Sequence, residues 1–177
     1  MPAQGKHQSG IGLIETLVTL LIIALLAGWA LPHYQQWLNE TAARGARNDM
    51  RTLITYARQT SIATHRSLVL CGSTNGYDCD GQWQRYTIVR TGQENNQAEG
   101  TAEVLARIEP DTRITLKGPS ADRLFHPQPA KNMVNATFRF CLPASGSADS
   151  PRALLLVVNA MGRTRDESLE TDSECRS

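Results

Sequence analysis

The chain has 177 residues, 41% of them hydrophobic, enough for one core-forming domain plus one extra element and too few for a multidomain enzyme. The formal net charge of +1 is unevenly spread: residues 1–66 carry 6 Lys+Arg against 3 Asp+Glu, residues 67–165 carry 11 against 9, and residues 166–177 carry 1 against 5. This distribution excludes a globally cationic nucleic-acid binder but leaves room for a local basic patch ahead of an acidic tail.

Residues 1–10 form a short polar leader with Lys6 and His7 that ends in Gly10. From Leu13 to Leu31 the only charged residue is Glu15, and the run is about as long as a bilayer crossing requires. A secretory signal peptide would place small residues after the apolar stretch, and Trp29-Ala30-Leu31-Pro32-His33 fits that poorly. Pro32 removes a helical donor, so an interruption or kink is expected there. Beyond it Leu38, Ala42, Ala46, Met50, Leu53, Ala57 and Ser61 recur every three or four residues, the pattern of an amphipathic helix over 32–66. Arg44, Arg47, Arg51 and Arg58 lie on or near its other face, where a solvated surface is the ordinary reading and a DNA contact the competing one.

From Ser67 onward short apolar or alternating runs alternate with turn residues, which predicts strands at 67–71, 83–90, 104–108, 113–117, 137–142 and 153–158. Gly72–Gly76, Gly92–Gly100, 118–122 and 143–151 read as loops. The whole is an α+β plan, a long N-terminal helix followed by an antiparallel β-rich head over 67–177. Cys71, Cys79, Cys141 and Cys175 form no CxxC pair, so disulfides fit better than a zinc site. Of three connectivities, Cys71–Cys79 would close a Gly/Asn-rich loop and Cys141–Cys175 would tie the tail to a strand. Buried free thiols are the alternative.

His7, His33, His65 and His126 stand at no metal-ligand spacing, and phosphate-binding, nucleophile-elbow and dinucleotide motifs are missing from the sequence. A non-enzyme without cofactor or metal is expected. The most informative segment of the head is Asn159-Ala160-Met161-Gly162-Arg163-Thr164-Arg165. Gly162 suits a tight turn, and Arg163 and Arg165, two apart, point the same way if the chain beyond is extended. Paired guanidiniums suit phosphate because each presents a planar fork of donors. The competing reading pairs both arginines with Asp166, Glu167 or the rest of the acidic tail.

Gly10-Ile11-Gly12-Leu13-Ile14-Glu15 ahead of an apolar helix resembles the start of a type IV prepilin. That resemblance implies cleavage by prepilin peptidase between Gly10 and Ile11, N-methylation of Ile11, and pairing of Glu15 with the N-terminal amine of a neighbouring subunit. It also implies a transmembrane helix over 11–31 in the inner membrane, a periplasmic head and incorporation into an extracellular filament with other major and minor pilins. Ile11 and Gly12 depart from the family's usual Phe and Thr or Ser. Ser67-Leu68-Val69-Leu70-Cys71, the segment Cys79 to Trp83 and the stretch 154–165 make the head similar to the GspH/FimT group, whose fold is pilin-like. Gly162, Arg163 and Arg165 fall on the GRxR motif of FimT minor pilins, which implies sequence-independent binding of double-stranded DNA during natural transformation. Lys117 and Lys131, with Arg123, Arg139 and Arg152, are candidate extensions of that patch. A pilus-priming subunit resembling FimU and a GspH-like pseudopilin of type II secretion are the alternatives.

Overall fold

In the computed structural model of the protein, residues 12–92, 102–128, 131, 134–143, 152–169 and 173–175 are described. They form one helix, α1 (Leu13–Thr64), eight strands and a short 3-10 turn at Ser173–Cys175. Gly10 and Ile11, the expected cleavage and methylation residues, lie outside the described residues. The chain divides into two compact units, 1–38 and 39–177.

In the first unit, Gly12 precedes the helix and its backbone N–H donates to Glu15 Oε2 at 3.1 Å. Glu15 thus reaches back over the first turn, where free amide donors and the helix dipole favour a carboxylate. An 18-residue stretch of α1 has a mean hydropathy of 2.2 and none of it is buried inside the chain, so it is long and apolar enough to cross a membrane. The interruption expected at Pro32 is not found, because α1 is one helix from Leu13 to Thr64. A single proline removes one donor, and the turns on either side keep theirs.

The second unit contains the hydrophobic core. Its strands are β1 (Leu68–Ser73), β2 (Tyr86–Thr91), β3 (Val104–Ile108), β4 (Thr115–Lys117), β5 (Arg123–Phe125), β6 (Ala136–Cys141), β7 (Ala153–Val158) and β8 (Thr164–Leu169). They make two antiparallel sheets, ordered β3-β2-β1-β5 and β4-β6-β7-β8. Two strands, β5 and β8, were not expected from the sequence. β5 is three residues long, and β8, Thr-Arg-Asp-Glu-Ser-Leu, has an acidic, mostly exposed composition that carries no hydrophobic strand signal.

One apolar cluster joins the helix to both sheets. Ala42, Ala43, Met50, Leu53, Ile54 and Ala57 of α1 meet Leu68 and Leu70 of β1, Val89 of β2, Leu116 of β4, Phe125 of β5, Phe138 and Phe140 of β6, and Leu156 and Val158 of β7. The expected helical face is therefore the buried one, with Ala43 and Ile54 widening it. Ser61 is also fully buried, its hydroxyl within donating distance of the carbonyls of Arg66 (2.8 Å) and Phe125 (3.1 Å), which ties the end of the helix to β5. Trp83 packs edge-on to Phe138 with centroids 5.1 Å apart and donates its indole N–H to Pro119 O at 2.9 Å. The backbone at Gly118 lies so close that a Cβ there would sit 2.5 Å from the indole.

The disulfides are Cys71–Cys79 and Cys141–Cys175. The second fastens the 3-10 turn of the tail to β6, where Glu174 also pairs with Arg139 at 3.0 Å and its carbonyl accepts from Lys117 Nζ at 2.7 Å. Asp166 of β8 faces the helix, paired with Arg51 and, at 3.5 Å, with Arg47. The Arg51 hydrogen bond, aided by the charges of Arg47 and Arg51, holds the Asp166 carboxyl below its ordinary value of 3.8 against the opposing effect of burial.

Two consequences are measurable by thermal or denaturant unfolding of the chain in detergent. Gly118→Ala forces the Trp83 ring to move, and we expect a loss of about 1–3 kcal/mol, visible as a lowered midpoint and a changed near-ultraviolet signal; an unchanged midpoint would show that the ring is not locked. Because Asp166 is depressed in the folded state, its contribution is present above the unfolded carboxylate value and is lost as pH falls through the lower folded one. The stability gap between the native chain and Asp166→Asn should therefore be greatest near neutrality, under about 1 kcal/mol for so exposed a pair, and should shrink in acid. A gap independent of pH would contradict the assignment.

Candidate nucleic-acid interface at the β7–β8 hairpin

The apolar strand β7 ends at Val158 and returns as β8 from Thr164. Between them the Gly162 N–H donates to Asn159 O at 2.8 Å, and the Asn159 N–H donates to Arg163 O at 3.0 Å. Gly162 has φ of 73°, so the hairpin is a type I turn closed by a left-handed glycine, a common three-residue connection. Asn159 organises it from within: its side-chain oxygen accepts from the N–H groups of Met161 (3.0 Å) and Arg163 (2.9 Å). Gly162 is called for by its positive φ; an added Cβ would be in ordinary van der Waals contact with Arg58 Cδ (3.4 Å), Phe125 (3.8 Å) and Val134 (3.9 Å), so the turn packs against the helix and the core.

Period-two alternation then sorts the side chains of β8. Asp166 points to the helix and its two arginines, while Arg165 and Glu167 lie on the opposite face and pair with one another. Arg165 is 73% exposed as a side chain, and Arg163 at the start of the strand is exposed too. Among the described residues, no hydrogen bond or ion pair to the Arg163 guanidinium is found. Both parts of the sequence reading thus have a place: the chain beyond the turn is extended, and one of the two arginines is paired with the acidic segment. The Arg165–Glu167 pair is a surface pair of the kind that contributes little and yields to a stronger anion.

The remaining candidate residues are distributed differently. Lys117, Arg139, Leu155 and Glu167 stand in one row across the second sheet, so Lys117 is three strand spacings, about 14 Å, from β8. Lys117 and Arg139 are both engaged by Glu174 of the tail. Arg152 pairs with Glu40 of the helix at 3.3 Å, and Arg123 donates to the carbonyls of Ala121 (3.0 Å) and Asn135 (2.6 Å). Lys131 is exposed in the connection between β5 and β6, the connection whose Val134 packs near Gly162. The structure therefore brings Gly162, Arg163 and Arg165 together and leaves Lys117 with the tail. Asn159 was missed as an organiser of the turn, although an Asn three residues before a Gly after an apolar strand is a signal for it.

Elsewhere in the head, a cavity of about 410 Å³ on the first sheet is lined in part by Asp78, Arg90 and Asp122. Arg90 pairs with Asp78 at 3.7 Å, and burial pushes the Asp122 carboxyl up despite Arg123 and Arg90. Cys71 and Cys79 lie beside Asp122 at ligand-like spacing, but both sulfurs are in the disulfide and have no thiolate to offer a metal.

Comparison with known proteins agrees with this architecture. Residues 46–162 match the family described as Type II transport protein GspH, and residues 5–31 match the prokaryotic N-terminal methylation motif. The GspH match stops at Gly162, one residue short of Arg163. A fimbrial protein of Pseudomonas aeruginosa is 25% identical over 118 residues, covering 64% of this chain and 76% of that protein. The crystal structure of the type IV minor pilin FimU of Pseudomonas aeruginosa superposes with a TM-score of 0.50 at 15% identity, covering 76% of this chain and 98% of the other. The helix with its methylation motif and the two-sheet head place the chain in the GspH family of type IV pilin-like proteins.

Proposed function

We propose that this protein is a minor type IV pilin whose head binds extracellular double-stranded DNA through its phosphates for uptake in natural transformation. The observation that carries the reading is the β7–β8 hairpin. What supports the reading there is that Arg163 and Arg165, two apart on an extended segment, are both exposed, that Asp166 is paired with Arg47 and Arg51, and that Arg165 has only the surface pair with Glu167. Such a hairpin supplies charge-assisted contacts to a phosphate backbone with no means of reading bases. A module with so few contacts binds weakly alone, so repetition or help from other pilins along a filament supplies the avidity.

The rest of the chain serves placement. Prepilin peptidase would cut between Gly10 and Ile11, Ile11 would be methylated, and α1 would hold the subunit in the inner membrane with its head in the periplasm until it joins the filament. Glu15, at the first turn, would meet the amine of a neighbouring subunit, a strong reason for a carboxylate in an otherwise apolar span. A second reading, a subunit that primes pilus assembly, is favoured by the likeness of the whole head to FimU. A third, a type II secretion pseudopilin, is favoured by the GspH match.

The test is a salt titration of binding to a mixed-sequence duplex by the full chain in detergent, native against Arg163→Gln plus Arg165→Gln. We expect native binding to fall steeply with salt and the double variant to bind weakly, with its log–log slope reduced by about two. Unchanged binding by the variant would sink the DNA reading. Loss of surface pili and twitching on deletion of the gene, with no DNA binding by the native chain, would favour the assembly subunit.

A further inference from the structure

Arg47, Arg51 and Arg58 occupy one stripe of α1, since offsets of 4 and 11 residues return to nearly the same side of a 3.6-residue helix. The first two have an acidic partner: Arg47 and Arg51 both pair with Asp166. Arg58 differs, because among the described residues no carboxylate or other acceptor contacts its guanidinium. From Arg51 to Arg58 the helix rises about 10 Å, and from Asp166 back to Gly162 strand β8 covers about 13 Å. Strand and helix thus run side by side in opposite directions, and Arg58 arrives level with the hairpin turn. The side-chain contact agrees: Arg58 Cδ lies 3.4 Å from where a Gly162 Cβ would be. Its aliphatic stem packs against Gly162, the residue before Arg163, and the guanidinium follows two bonds further on.

We infer that Arg58 is a third phosphate-binding arginine of the hairpin site, contributed by the helix where its stem packs against Gly162. A half-buried arginine with no carboxylate on it among the described residues, packed against the turn that leads into a second arginine also without one, is an arrangement that a bound anion relieves. It also fits the chemistry, because arginines converging from two elements span adjacent oxygens of a sugar-phosphate backbone better than two on one strand. The inference rests on the DNA reading and names a residue of the same site.

The experiment compares the full chain in detergent with Arg58→Met, which keeps an apolar stem against Gly162 and removes the charge, and Arg58→Lys, which keeps the charge. The probe is a mixed-sequence duplex titrated with salt, with thermal midpoints recorded alongside. Arg58→Met should bind roughly three- to tenfold more weakly with a salt slope reduced by about one, while Arg58→Lys stays near native and both retain the native midpoint. Arg58→Gln, also a good helix former, replaces Arg58→Met as the readout if the latter melts early. Native-like binding by the charge-removed variant overturns the inference, as does equal weakening by Arg58→Met and Arg58→Lys, which marks a packing role. If Arg163→Gln plus Arg165→Gln abolishes binding while Arg58→Met leaves it intact, Arg58 alone is misassigned. If the native chain does not bind, the DNA reading fails and the inference falls with it.

Discussion

The second half of α1 buries one stripe, Ala42 to Ser61, and everything else in the head is arranged to cover it. Small residues at Ala43 and Ala57 let strands approach the helix closely, while Met50, Leu53 and Ile54 fill the space between the two sheets. Among the described residues, the helix and strands of both sheets meet in one apolar cluster. The helix is exposed and apolar over its first part, and over its second it presents an apolar face to the head.

The charged residues follow from that packing. Once β7 is pinned to the helix by Leu156 and Val158, the returning strand β8 runs along the margin of α1, and alternation puts Asp166 against Arg47 and Arg51. The same alternation obliges Arg165 and Glu167 to face outward. β8 is an edge strand, and its Arg, Asp and Glu protect it from unspecific pairing as edge charges commonly do. A strand built to be soluble at an edge is also well suited to carry an anion site, because its side chains are already solvated and its backbone is already held on one side.

The tail illustrates how a local charge excess loses its apparent meaning in three dimensions. Five acidic residues follow Arg165 in sequence, enough to suggest that they cancel the arginines. The disulfide to Cys141 carries the end of the tail across the sheet, where Glu174 engages Arg139 and Lys117. Asp166 is taken by the helix, and of the described acidic residues only Glu167 stays beside Arg165. The described acidic residues of this segment are thereby divided among five basic partners, Arg47 and Arg51, Arg165, and Arg139 and Lys117.

By itself the sequence determined the membrane-length helix, the buried helical face, most of the strands and the glycine turn before Arg163 and Arg165, and it limited four cysteines to three pairings, of which the structure shows Cys71–Cys79 and Cys141–Cys175. Each of these is written in local periodicity, in turn chemistry or in a small set of cysteines, signals that need no knowledge of distant neighbours. Only the tertiary structure decided that 164–169 is a strand, that Asp166 turns inward, that Lys117 belongs to the tail, and that Arg58 reaches the hairpin. A polar edge strand has no hydrophobic pattern to announce it, and its pairing depends on β7 being fixed elsewhere. Asp166 meets Arg51 across 115 positions of sequence, and that separation is closed by the core, not by anything local to either residue.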